Sequence, residues 1–177
     1  MKRVGPLLVG LLIASSSLLC VVFGRSLAGD ADAKPKPVTL DASKFPTLQA
    51  ALDALPESGG VVVLPPGEFE LKEPLVLARG DTRIVGAGGA TRLINRNEEG
   101  QPALLIKPAG WPKNRKARLW RVQIAHFRIS GNPKSGDGVR AEAIEEIYIH
   151  GLDVDHHGGH GINFVECHEN PRVAQCN

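Results

Sequence analysis

A group of imidazole and carboxylate side chains lies near the C-terminal end of the chain. Its members are His150, Asp153, Asp155, His156, His157, His160, Glu166 and His168. Imidazole and carboxylate ligands together can hold a transition metal, whereas aspartates alone suit calcium. We predict Asp153, Asp155, His156, His157 and His160 as candidate metal ligands. The alternative is a polar surface turn, because the glycines among these histidines are typical of a turn and no zinc-type helical pair is present.

The same aspartates are candidates for acid–base chemistry. Glycosidases use two carboxyl groups, one as acid and one as base or nucleophile. Asp153 and Asp155 project to the same side of an extended strand. Asp137 on the preceding repeat could also pair with them, since adjacent coils bring equivalent positions to about 4.8 Å. The alternative for Asp137 is a local role in the turn Gly136-Asp137-Gly138.

Three aromatic residues are candidates for substrate binding. Trp111, Trp120 and Tyr148 could stack on sugar rings, because an aromatic ring offers a flat apolar face beside a polar tip. Trp120 and Tyr148 adjoin apolar strand residues. The alternative is therefore that they pack against neighbouring turns.

A short helix followed by a strand opens the ordered part of the chain. Leu48, Ala51, Leu52 and Leu55 recur at helical spacing, with Pro46 suited to the first turn. Val61-Val62-Val63-Leu64 then predicts a strand buried on both sides. Short apolar pieces separated by Gly, Pro, Asn or Asp follow, which predicts an all-β domain. These pieces are 69–71, 75–77, 83–85, 93–94 and 103–106.

An internal repeat specifies the architecture. Val122, Ile124, Phe127 and Ile129 recur 25 positions later as Ile147, Ile149, Leu152 and Val154, and the glycine turn at 136–138 recurs 23 positions later. Apolar residues that keep a constant offset while the turn between them changes length indicate stacked coils. A leucine-rich repeat is disfavoured because its Leu and Asn positions are absent. The repeat predicts a parallel β-helix, a solenoid, with the helix near Leu52 as its N-terminal cap.

Residues 41–94 resemble the N-terminal part of right-handed parallel β-helix proteins of the pectate-lyase superfamily. The resemblance rests on three segments, a capping helix at 48–55, Gly59-Gly60-Val61-Val62-Val63-Leu64-Pro65-Pro66-Gly67, and Ile84-Val85-Gly86-Ala87-Gly88. A Gly-Asp-Gly common near the start of such proteins is replaced by Asp41-Ala42-Ser43. The resemblance implies fold more than chemistry, because this scaffold carries lyases, hydrolases and non-catalytic proteins.

The resemblance also implies a mechanism to test. Polyuronate lyases of this superfamily abstract a proton with Arg or Lys, while calcium or a cationic residue neutralises the uronate carboxylate. Arg140 is the best-placed cation, followed by Arg121 and Arg128, and none lies in a matching catalytic motif. The alternative for each is a surface cation. The predicted function is binding or processing of a uronate-containing polysaccharide by β-elimination or hydrolysis. If the protein is a lyase, calcium is the expected cofactor. A non-catalytic carbohydrate-binding or structural module is the alternative.

The N-terminus predicts export. Lys2 and Arg3 precede an apolar run over 4–23, and small residues at 26–28 or 31–33 suit a signal peptidase. We predict a signal peptide over 1–28, with an uncleaved membrane anchor as the alternative, then a flexible spacer over 29–37 and the β-helix over 38–177. The protein would then be secreted, periplasmic or at the cell surface.

Charge argues against a nucleic-acid partner. The chain has 21 basic and 19 acidic residues. Removal of Lys2, Arg3 and Arg25 with the signal leaves 18 basic residues, so no cationic excess remains for phosphate binding. The one local cluster, over 113–121, is expected to be a solvated loop rather than a patch for an acidic polymer.

The C-terminal region predicts two further features. Cys167 and Cys176 could pair in an exported chain or remain free thiols. Residues 172–174 resemble the start of another coil with no cap after it. We therefore expect an incomplete domain, belonging to a truncated product or a fragment, because solenoid ends are normally capped.

Overall fold

A computed structural model describes residues 37–177, which form twelve β-strands and one α-helix. The predicted signal and all of the predicted spacer except Pro37 lie outside these residues. No helix within 37–177 is long and apolar enough to cross a membrane. The elements are β1 (Val38–Asp41), α1 (Leu48–Asp53), β2 (Gly60–Val63), β3 (Gly67–Leu71), β4 (Leu75–Leu77), β5 (Thr82–Val85), β6 (Thr91–Asn95), β7 (Leu104–Ile106), β8 (Leu119–Ser130), β9 (Val139–Glu142), β10 (Ile144–Asp155), β11 (Ile162–Val165) and β12 (Arg172–Ala174).

The strands stack in parallel as a right-handed β-helix, which confirms the predicted fold. The first face is the ladder β1-β2-β5-β8-β10-β12. The second face contains β3, β6 and the later parts of β8 and β10. The third face is the ladder β4-β7-β9-β11. The long strands β8 and β10 serve two faces because they bend at His126 and Gly151, where φ is +59° and +62°.

The coil interior is a set of apolar ladders. Ile124 pairs with Ile149, as the repeat predicted, and both are fully buried. The ladder through them joins Leu40, Val62, Ile84, Ile124, Ile149 and Val173. Each coil therefore buries one apolar residue on the next, and this burial is the main stabilising contribution to the fold.

Coil length varies while strand register is kept. Ile84 pairs with Ile124, 40 positions later, whereas Val62 pairs with Ile84, 22 positions later. The additional residues lie outside the ladders, mainly in the loop 107–118, because a turn can lengthen without disturbing the hydrogen bonds between strands.

Helix α1 covers the N-terminal side of the third face. Thr47 is its N-cap, and the Thr47 side chain accepts a hydrogen bond from the backbone N–H of Ala50 at 3.1 Å. Pro46 therefore lies before the cap rather than in the first turn. The Gln49 side chain accepts from the N–H of Val76 at 2.8 Å and donates to its carbonyl at 3.1 Å. A glutamine thus replaces the missing strand neighbour of β4, which blocks that exposed edge.

The predicted two-sided burial of the strand at 61–64 is wrong. Val62 is fully buried, but Val63 is 37% exposed. No second layer covers the outside of the coil at this position, so alternate residues face solvent. The two cysteines of the domain are free, and each thiol donates to a backbone carbonyl, Cys167 to Ala141 and Cys176 to Ala174.

Candidate functional site

The outward side chains of the first face form a row along the solenoid axis. Strand register places these residues side by side on successive coils, at the spacing of about 4.8 Å between hydrogen-bonded strands. The row consists of Val61, Arg83, Gln123, Tyr148 and Arg172. Apart from Val61, every member is large and polar. The first face therefore presents hydrogen-bonding groups at a regular period.

Two hollows along this row make a continuous groove, which we call the outer groove. The first hollow has a volume of about 290 Å³ and is lined chiefly by Arg121, Gln123, Glu146, Tyr148, Glu169 and Arg172. The second hollow has a volume of about 210 Å³ and adds Val61 and Arg83. The two share Arg121 and Gln123, so the groove runs across several strands.

Tyr148 is fixed in the outer groove by two histidines. Its ring stacks on His150 with centroids 4.6 Å apart, and the His150 and His126 rings are T-shaped to each other with centroids 4.7 Å apart. Burial, together with the charges of His126 and Arg83, lowers the pKa of His150 below 6.5. The His150 ring is therefore neutral at pH 7, and Tyr148 has a stable apolar support.

One wall of the outer groove is a ridge of polar residues at a tight corner, three of them charged. Asp81, Arg121, Glu146 and Asn170 occupy this corner on successive coils, all with φ between +51° and +64°. Arg121 donates from Nε and Nη2 to Asp81 at 2.5 and 3.0 Å. This bidentate bond raises the pKa of Arg121 and holds its guanidinium along the wall.

Arg140, the first candidate for a catalytic base, lies on the third face, away from the outer groove. Its Nε donates to Glu142 at 2.6 Å and its Nη1 to Asp137 at 3.4 Å. The hydrogen bond to Glu142 raises the pKa of Arg140 despite partial burial. A base needs a lowered pKa, so these partners oppose proton abstraction by this residue.

Asp137 is part of the same polar cluster and does not pair with Asp153 or Asp155. It accepts hydrogen bonds from the His160 backbone at 2.8 Å and from Asn163 at 2.9 Å. Burial would raise the pKa of Asp137, but these bonds and Arg140 outweigh it and the pKa is lowered. The carboxylate is therefore ionised and fully engaged in linking two coils.

Asp153 and Asp155 both face outward, as predicted, on the second face. The residues aligned with them on the preceding coil are Arg128 and Ser130, not another carboxylate. Arg128 contacts Asp155 at 3.2 Å and Asp153 at 3.9 Å. The two aspartates therefore share one cation. Burial would raise the pKa of Asp155, but hydrogen bonds with His156, Ser130 and Arg128 outweigh it and lower that pKa, which opposes a role of Asp155 as a proton donor near neutral pH.

The three candidate histidine ligands point to different partners. His156 contacts Asp155 at 2.9 Å, His160 contacts Asp137 at 3.1 Å, and His157 lies 3.4 Å from the Ser135 hydroxyl. Among residues 37–177, no three His, Cys, Asp or Glu side chains converge in a way that could hold a metal ion.

The three candidate aromatic residues also separate. Tyr148 lines the outer groove. Trp120 is 43% exposed and lines a separate hollow on the other side of the ridge. Trp111 is only 6% exposed, with Arg115 4.7 Å and Arg118 5.6 Å from its ring centroid. Its contacts hold the loop 107–118 in place, and its ring is not open to a ligand.

Sequence reasoning did not single out Gln123, Glu169 or Arg172. Gln123 alternates with the buried Val122 and Ile124, so the strand period of two would have placed it on the outside. Its neighbour Arg83 is 40 positions earlier, and the intervening loop hides that relationship from a simple repeat.

One solved structure resembles this chain. It is ORF18 of Geobacillus virus E2, with a TM-score of 0.65 and 22% sequence identity over 71% of this chain and 27% of that chain. This chain thus spans about a quarter of the ORF18 chain, and at such identity the similarity concerns the fold. No protein-family model matches the chain, and no curated protein matches it in sequence.

Proposed function

We propose that this protein binds an extended acidic polysaccharide along the outer groove. The observation that carries the proposal is the row of polar side chains at strand spacing with Tyr148 at its centre. A fixed aromatic ring beside planar guanidinium and amide groups is suited to a sugar, whose ring has an apolar face and an equatorial belt of hydroxyls.

The charges in the row favour a uronate-containing polymer. Arg83 and Arg172 form no ion pair with any residue in 37–177, so their guanidinium groups are available for carboxylates. Glu146 and Glu169 lie on the same wall and would accept from sugar hydroxyls. The sequence resemblance to the pectate-lyase superfamily and the predicted export signal support the same class of ligand.

Binding without cleavage is the activity that we propose. Arg140 is engaged by two carboxylates, and Asp153 and Asp155 share Arg128. None of the three lines the outer groove. Among residues 37–177, Arg121 is the sequence candidate that does line the groove, and both carboxylate oxygens of Asp81 accept hydrogen bonds from it and raise its pKa, which opposes proton abstraction by Arg121.

Calorimetric titration of the full chain with oligogalacturonate and oligoalginate tests the proposal. We expect saturable binding that weakens about tenfold or more in Tyr148→Ala and in Arg172→Gln, whereas Tyr148→Phe keeps most of the affinity. Arg96→Gln is the matched control, because Arg96 lies on the second face and pairs with Glu70 at 2.8 Å.

Two outcomes would contradict the proposal. One is no heat of binding with either oligomer, and the other is an equal loss of affinity in the Arg96 control. A parallel assay for unsaturated uronate, with and without calcium, distinguishes binding from β-elimination. Product release by the unmodified chain would replace the binding function with a lyase.

A further inference from the structure

A second pocket lies on the opposite side of the charged ridge from the outer groove. It has a volume of about 320 Å³ and its main lining residues are Glu57, Arg79, Asp81, Arg118, Trp120 and Arg121. We call it the arginine pocket. Three guanidinium groups around one hollow, with an exposed indole beside them, form a combination that the function proposed above does not use.

Two of the three arginines are held in fixed positions. Arg118 donates from Nε to Glu145 at 3.2 Å and from Nη1 to the carbonyls of Arg115 and Ala117, each at 2.9 Å. Arg121 is held by both carboxylate oxygens of Asp81. These bonds set the shape of the pocket before any ligand arrives, which reduces the entropy cost of binding.

Arg79 is different because its guanidinium has no carboxylate partner among residues 37–177. Its Nε is buried and has no hydrogen-bond acceptor among residues 37–177, and Nη1 makes one long bond, at 3.4 Å, to the Ala78 carbonyl. Arg79 thus has a buried Nε–H that no acceptor satisfies, which is unusual in a folded protein. Its terminal nitrogens are therefore the available anion-binding donors of the pocket.

Arg118 is paired with Glu145 and Arg121 with Asp81, so Arg79 is the lining cation without an ion pair among residues 37–177. Asp81 is neutralised by Arg121, so Glu57 is the one lining carboxylate with no ion pair in the described part of the chain. Trp120 is 43% exposed and offers a flat apolar surface. Gly80 lies against the Trp120 backbone, where a Cβ would be 2.9 Å from the carbonyl oxygen, so no side chain at that position fills the hollow.

We propose that the arginine pocket binds a single carboxylate-bearing sugar unit. The carboxylate would pair with Arg79 in the bidentate geometry that guanidinium favours, and the sugar ring would lie on Trp120. Glu57 opposes this binding by like-charge repulsion. The site does not depend on the proposed function, because it is separated from Tyr148 by the ridge and makes no use of the outer groove.

The test is an NMR titration of the ¹⁵N-labelled full chain with D-glucuronate, following the indole N–H of Trp120, which the Trp120→Phe variant assigns. D-glucose is the neutral control ligand. We expect saturable shifts with glucuronate, an affinity at least about fivefold lower in Arg79→Gln and a severalfold higher affinity in Glu57→Gln. Arg96→Gln should leave the affinity unchanged.

The Glu57 variant separates binding from a purely structural role of Arg79, since removal of a carboxylate improves affinity only where an anion is bound. Tyr148→Ala should not alter glucuronate binding here, so this site and the outer groove can fail independently. Absence of saturable binding, equal binding of glucose, or no change in either the Arg79 or the Glu57 variant would overturn the assignment.

Discussion

Asp137 and Asn163 lie on adjacent coils, and Nδ2 of Asn163 donates to Oδ2 of Asp137 at 2.9 Å. The Asp137 side chain is 8% exposed and also accepts from His160 and Arg140. We expect Asp137→Asn to lower the free energy of unfolding by about 2–4 kcal/mol, because several donors lose a charged acceptor. Urea denaturation measures the change.

Asp153→Asn is the control for this substitution. Asp153 is 43% exposed and accepts from Asn177 at 2.9 Å, so its loss should cost less than about 1 kcal/mol. Equal effects of the two substitutions would show that Asp137 does not join the coils in the way described.

Burial of His157 should make stability depend on pH. Burial lowers the pKa of His157 below its ordinary 6.5, and its Nε2 has no partner among the described residues. The unfolded chain therefore binds the proton more readily, so stability is complete above pH 6.5 and falls as the pH decreases below it. We expect His157→Gln to reduce this slope between pH 6.5 and roughly pH 5, measured by thermal unfolding.

His156→Gln provides the comparison, since the His156 side chain is 81% exposed. His156→Gln should therefore change the slope less than His157→Gln does. His150, whose pKa is lowered in the same direction, accounts for the slope that remains in the His157 variant. An unaltered slope in His157→Gln would exclude His157 as its source.

Gly59 should tolerate no side chain. Its φ is +75°, and an added Cβ would lie 2.3 Å from the Asp81 carbonyl oxygen on the next coil. We expect Gly59→Ala to destabilise the fold by more than about 2 kcal/mol. Gly88 has φ +64° but open space around it, so Gly88→Ala isolates the conformational cost at about 1 kcal/mol. Thermal melts of both, with Gly89→Ala as a neutral reference, test the ranking.

Gln49 should stabilise the N-terminal edge of the third face. Its amide satisfies both the N–H and the carbonyl of Val76. Gln49→Met keeps the size but leaves both groups unpaired, so we expect a loss of about 1–3 kcal/mol. Asp53→Ala removes only the exposed 2.8 Å bond between Gln49 and Asp53 and should cost under about 0.5 kcal/mol. If the two variants lost similar stability, the effect of Gln49 would come from its bond to Asp53 on the helix surface and not from its bonds to Val76.

The fold was predictable from sequence because its signal is local. Ile124 and Ile149 both face inward because side chains alternate along a strand. The constant offset of 25 positions between the two repeats predicts the strand register that the structure has. The turns did not obscure this pattern, since they change length outside the ladders.

The site was not predictable in the same way. His150, Asp153 and His160 are close in sequence, but left-handed corners at Gly151 and His156 turn the chain between them. The side chains of these three residues therefore end on different sides of the coil. Conversely, Arg83 and Gln123 are neighbours in the outer groove although a 40-residue offset separates them in sequence.

The long excursion between β7 and β8 has a consequence for ligand recognition. Gln123 lies one strand spacing from Arg83 and one from Tyr148, although the intervening segments differ by 15 residues in length. Backbone hydrogen bonding thus sets a repeat distance of about 4.8 Å that insertions cannot stretch. Loops can therefore change during evolution and form new contacts, while the spacing between the outward side chains that would meet a repeating polymer stays constant.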